Sequence, residues 1–149
     1  MTRLSLVVAV LVGLALAGCV APAPTTSAYE GKAERTAKDA LTAVETARMA
    51  AQAGSQGRLS SAYLEVVLTN AEDAFGSIQH TFDSVQPPEG KAADDLRDAL
   101  DGLLSDGSDA LGQLRIAARR GSVEDMAGAA GSLGKVAAGL DRFGQEHSG

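Results

Sequence analysis

The chain has 149 residues, a formal net charge of −6 and a pI near 4.8. An acidic body has no electrostatic pull toward nucleic acid or anionic lipid, and a single cysteine excludes an internal disulfide. Hydrophobic residues make up 45% of the chain, enough apolar material for one small core.

Residues 1–18 read MTRLSLVVAVLVGLALAG. The uncharged run from Leu4 to Ala17 is shorter than the roughly 20 apolar residues of a membrane-spanning helix. It follows Arg3 and ends in small residues, the layout of a secretory signal peptide. Leu16-Ala17-Gly18-Cys19 resembles, residue by residue, the lipobox of bacterial lipoproteins. The resemblance implies cleavage between Gly18 and Cys19, attachment of diacylglycerol to the Cys19 sulfur, and acylation of the new N-terminus. An ordinary secretory cut that leaves Cys19 as a plain thiol is the competing reading. The coincidence of charge, run length, small residues and cysteine favours the lipobox. Two acyl chains, at about 0.8 kcal/mol per buried methylene, anchor stably where one does not. No basic cluster follows Cys19, so the lipid must hold the membrane alone. The expected location is the outer face of the cytoplasmic membrane. Arg outnumbers Lys while Ala and Gly are abundant, a bias of GC-rich genomes that fits an actinobacterium.

Residues 19–28 form the lipidated cysteine and a tether. VAPAPTTSA, with two prolines and small polar residues, favours extended chain at about 3.1 Å per residue, a reach on the order of 30 Å. Residues 29–147 then read as a single all-α domain. Ala33, Ala37, Ala40, Val44, Ala47 and Ala51 recur at alternating spacings of four and three, one apolar stripe of a first helix that GSQG (54–57) ends. A second helix carries Leu64, Val67, Ala71, Phe75, Ile78, Phe82 and Val85, and stops at Pro87-Pro88. The third carries Ala93, Leu96, Leu100, Leu103, Leu111, Leu114 and Ala118 and ends in Arg119-Arg120-Gly121. There the basic side chains suit the negative helix end and Gly121 suits a left-handed cap. Ser122 opens the fourth as N-cap, with Glu124 and Asp125 in its first turn. Its apolar face is Met126, Ala130, Leu133, Ala137 and Leu140, with Phe143 alongside.

Four amphipathic helices with short links predict an up-down-up-down four-helix bundle. A β fold is excluded by the missing apolar alternation and the scarcity of aromatics. The spacing shared by DALTAVETA (39–47) and DALGQLRIA (109–117) hints at a duplicated helix hairpin, though Ala-rich amphipathic helices share such spacing easily. The alanine seam of the first helix predicts close approach by its neighbours. Glycines inside helices, at nearly 1 kcal/mol each relative to alanine, weaken the bundle. Gly107 falls on the core arc, where it could admit a neighbouring backbone, and Gly128 and Gly139 are expected to point outward. The fourth helix is expected to be the least protected.

No residue set carries an enzyme reaction, and no cofactor or metal is expected. His80 and His147 are far apart, and His80 falls on the wet face. Asp94, Asp95, Asp98 and Asp101 lack the EF-hand order of ligands and glycine and read as a solubilising face with an Arg97–Asp101 pair. GSLG (131–134) has no nucleophile-elbow setting. One cysteine cannot supply a covalent haem motif. The most distinctive polar feature borders the third helix, where Arg97, Asp101, Ser108, Arg115 and Arg119 fall within a narrow arc, while Arg48 sits beside Val44 on the first helix. Arg48, Arg115 and Arg119 are candidate contacts for an anion or a partner carboxylate. Interhelical ion pairing, with aliphatic stems covering the core edge, is the stronger reading.

TFDSVQPP and LRIAARRG, within the stretch from Asp39 to Gly121, resemble small secreted or lipid-anchored helical proteins of streptomycetes and their relatives. That resemblance implies fold and location and no activity. The expected function is a non-catalytic interaction module of the cell envelope, with an envelope protein as partner. A ligand-binding lipoprotein with a pocket between helices, bordered by Arg48, Arg115 or Arg119, is the alternative. A closed apolar cavity with convergent polar groups would favour the second, and an alanine-packed core the first.

Overall fold

The computed structural model describes residues 25–148; the leader, Gly18, Cys19 and the tether as far as Pro24 lie outside them. Within the described residues the chain forms four α-helices and no strand: α1 Thr26–Ser55, α2 Ser61–Asp83, α3 Lys91–Arg120 and α4 Val123–Glu146. Each start and stop has a local cause. Thr25, in extended conformation, accepts the Ala28 amide on its hydroxyl at 3.1 Å. The first helix therefore begins at Thr26, inside the stretch expected to be tether, because a capping side chain outweighs the extended preference of its small polar neighbours. Ser60 and Ser122 cap α2 and α4 the same way, and Glu124 and Asp125 stand in the first turn of α4 as expected. Gly121 adopts φ 67° and closes α3, with its amide on Ala118 O and the Ser122 amide on Ala117 O.

The links span 56–60, 84–90 and 121–122, too short to do anything but reverse the chain, so consecutive helices run antiparallel. α1 packs beside α2 and α4, and α3 also reaches α1 across the bundle, while the backbones of α2 and α4 stay apart. The cross-section is thus a rhombus whose short diagonal joins α1 to α3. The alanine seam is the reason. Ala33, Ala37, Ala40 and Ala47 are fully buried with Val44, and their small side chains leave room for the buried leucines of α3, Leu100, Leu104, Leu111 and Leu114. No polar or charged residue is buried among the described residues.

The inward faces depart from expectation in places. On α3 it is Leu104 and Ala117 that are buried, with Leu103 and Ala118 only partly covered. On α2 Leu68 is buried and Val67, Ile78 and Val85 sit at the edge. On α4 Ala129 and Val136 are buried, and Ala130 is half-buried. In each case the helix rotates by a fraction of a turn relative to the spacing pattern, because it must serve two neighbours and not one seam.

Two glycines also behave differently from expectation. Gly107 is buried, but what it admits is the Phe75 ring and not a backbone. Gly139 does not point outward: a Cβ there would lie 2.5 Å from Leu103 Cδ2 across the α3–α4 seam. Gly128 is exposed with nothing around it, as expected.

Candidate functional site

The three arginines singled out from sequence do not converge. Arg48, on α1, holds Glu45 one turn back at 2.6 Å, and its guanidinium lies over Gly134 of α4 at 3.5 Å from where a Cβ would begin. Arg115 and Arg119 occupy the α2–α3 seam on the opposite side. Arg115 pairs with Glu72, and Arg119 Nε donates to Glu65 Oε1 at 3.1 Å. Glu72 binds the Arg115 guanidinium and holds it still more firmly protonated than usual. Each guanidinium therefore has a carboxylate of its own chain. The arc on α3 is an interhelical ion-pair border.

The end of the bundle where α1 starts and α2 turns into α3 holds a cluster that sequence reasoning passed over. Tyr29 is fully buried, and its ring stacks on Phe82 with centroids 5.8 Å apart. Arg97 lies 6.0 Å from the Phe82 centroid. It donates from Nη1 to Val85 O at 3.1 Å and from Nη2 to Asp83 O at 3.3 Å, tying the C-terminus of α2 to α3. Its Nε also faces Asp101 Oδ2 at 3.4 Å, the expected pair one turn apart. Two atoms here have no hydrogen-bond partner although both are shut off from solvent: Tyr29 Oη and Asp101 Oδ1. Burial pushes the Tyr29 hydroxyl up from its ordinary value, a trend that Arg97 opposes and Asp101 reinforces. Burial likewise raises the Asp101 carboxyl, with Arg97 opposing and Asp83 and Asp98 adding to the rise. Asp94, Asp95 and Asp98 are exposed, as expected of a solubilising face, and Asp101 is partly exposed and paired with Arg97. The missed signal was a tyrosine in register with the alanine stripe, four residues before Ala33.

The concavities along the bundle are open grooves between adjacent helices. One, between the C-terminal half of α1 and the N-terminal half of α4, is lined by Arg48, Met49, Val123, Met126 and Ala130. Another, more apolar, runs between α1 and α2 past Thr42, Thr46, Val67 and Ile78. Among the described residues five large apolar side chains stand exposed: Met49, Tyr63, Val66, Ile116 and Val123. They belong to the end of α1, the start of α2, the end of α3 and the start of α4, so all five ring the end of the bundle remote from Thr25.

His80 is exposed, and His147 packs on Phe143 with ring centroids 4.5 Å apart. Among the described residues no three His, Cys, Asp or Glu side chains gather in a way that could hold a metal ion, and no helix is long and apolar enough to cross a membrane. Compared with known protein families, with curated proteins and with solved structures, the chain matches none. The class is thus defined by the fold itself, an all-α four-helix bundle.

Proposed function

We propose that this protein is a lipid-anchored, non-catalytic interaction module of the bacterial envelope, held at the membrane through Cys19 and engaging a protein partner with the far end of its bundle. The observation that carries this reading is the placement of the exposed apolar side chains. Tyr63, Val66, Ile116, Val123 and Met49 all lie at the end opposite the tether. With α1 running 30 residues at about 1.5 Å per residue, that end stands roughly 45 Å from the Thr26 end of the bundle, to which the tether leads. A surface so placed suits a protein and not lipid. The alanine-packed core, the open character of the grooves and the separation of Arg48 from Arg115 and Arg119 support an interaction module over a ligand pocket.

Two arms test the reading. Cys19→Ser should abolish lipid labelling and move the protein out of the membrane fraction; retention there would sink the anchor. A photo-crosslinking residue at Val66, in the anchored protein on intact cells, should give a discrete protein adduct that the same probe at exposed Glu89 does not. Equal labelling from both positions would remove the far end as the contact surface.

A further inference from the structure

We infer that the partner met by the far end is a second copy of this chain: bundles anchored in one membrane stand parallel, with the outer edge of α2 in one against the outer edge of α4 in the next. The inference rests on the reading of the far end as a contact surface and of Cys19 as the anchor, and it names the partner that this reading leaves open.

The rhombic cross-section sets the geometry. α2 and α4 occupy the ends of its long diagonal, so their outer edges face in opposite directions. Both helices begin at the far end and run back toward the tether. Copies rooted in the same leaflet share one orientation. The α2 edge of one copy and the α4 edge of its neighbour are then parallel helices at matching height.

The two edges are complementary in register. Val66 and Asp73 are the sixth and thirteenth residues of α2, and Gly128 and Lys135 are the sixth and thirteenth of α4. Seven residues make about two turns, so each pair lies on one stripe, and all four positions are exposed. Val66 is an apolar knob, 55% exposed, while at Gly128 nothing lies within 4 Å of where a side chain would begin. Side by side, Val66 meets the bare helix at Gly128, and two turns lower Asp73 meets Lys135. At the far rim Arg58, in the link before α2, stands opposite Glu124 in the first turn of α4. All four charged side chains are exposed, and none belongs to an ion pair among the described residues. Turning one copy over would set Arg58 against Lys135 and Asp73 against Glu124, like charge on like, so the order of charges selects the parallel arrangement that a shared membrane imposes. The next two turns bring His80 to Arg142, which adds no attraction, and the contact therefore belongs to the outer half of the bundle.

Because the α2 edge and the α4 edge are different surfaces, the contact is heterologous and leaves one edge free on each end copy, so it builds rows and not closed pairs. Two helix edges make a small contact, and the net acidic chains repel in solution. Confinement to a plane supplies the local concentration that the contact needs.

The test uses the full anchored chain on intact cells, with a photo-crosslinking residue at Val66. The expected product is a ladder of dimers, trimers and longer species, its adduct mapped by mass spectrometry to residues 121–135 of a second copy. Asp73→Lys should lower the crosslinked fraction about two- to fivefold, the effect of losing one exposed ion pair, and adding Lys135→Asp to the same chain should restore it. These positions are exposed, so the fold does not depend on them. A ladder indifferent to Asp73→Lys, or not recovered in the double variant, would overturn the row. Products that stop at dimers and map to α2 would replace it with a two-fold pair. An adduct with a different protein would end the inference and leave the far end as a contact surface; no adduct at all would remove both. The anchor is judged separately through Cys19→Ser, whose released form should give no ladder. A ladder formed equally well by released protein would overturn the dependence on a shared membrane.

Discussion

The ring of Phe75 on α2 occupies the space where any side chain at Gly107 on α3 would begin. The two residues thus form a knob and a hole, and their contact fixes how closely α2 and α3 approach. Gly107→Ala gains about 1 kcal/mol of helix propensity but forces the buried ring to move, an overpacking cost of about 1–3 kcal/mol. The expected result is a net loss of stability by chemical denaturation. Phe75→Leu in the same chain should recover part of that loss, so that a double-mutant cycle gives a coupling well away from zero. Additive effects would mean that the ring does not seat on Gly107.

Glycines that face nothing should behave in the opposite way. Gly102 and Gly128 are exposed and helical, with open space where a side chain would go. Each change to alanine should add up to about 1 kcal/mol and raise Tm. Gly128→Ala should also slow amide exchange in α4, which ought to be the least protected helix. Slower exchange in α4 of the parent than in α2 would contradict this ordering.

The alanine seam of α1 sets the short diagonal. Ala40→Leu puts a large side chain where α3 leucines already lie and should cost about 1–3 kcal/mol. Ala99→Leu, on the exposed face of α3, makes the comparable change outside the core and should be close to neutral. Comparable losses for both variants would show that α1 and α3 are not in close contact.

The Arg115–Glu72 pair bridges two helices at a partly exposed seam, with a quarter of the arginine side chain accessible. Glu72→Gln should destabilise the bundle, by less than Gly107→Ala does. At 1 M salt, where the screening length is about 3 Å, most of the difference from the parent should vanish. A loss that persists undiminished would show that the residues act through packing rather than charge.

Helix number, order and ends were legible because their causes are local. Ser122, Gly121 and Pro87-Pro88 act within a few residues of themselves, and the Ala33 to Ala51 stripe needs no partner to be recognised. Thr25 was the exception at the ends: it stands in a stretch rich in proline and small polar residues, and its capping bond to the Ala28 amide outweighs that composition. The candidate arginines were visible as a border on α3, but their pairing was not. Glu65 and Glu72 meet Arg119 and Arg115 only after α2 folds back, many residues away in sequence.

By itself the sequence determined an acidic all-α chain, with a lipobox-like start, four amphipathic helices and the small-residue seam that lets two of them come close. It could do so because propensity, capping and periodicity are properties of neighbouring residues. Only the tertiary structure decided which helix faces meet and what lies across each seam. Phe75 over Gly107, Leu103 over Gly139, and Tyr29 stacked on Phe82 all depend on helix rotations of a fraction of a turn. Those rotations are set by the joint packing of all four helices, a condition that no single stretch of chain contains.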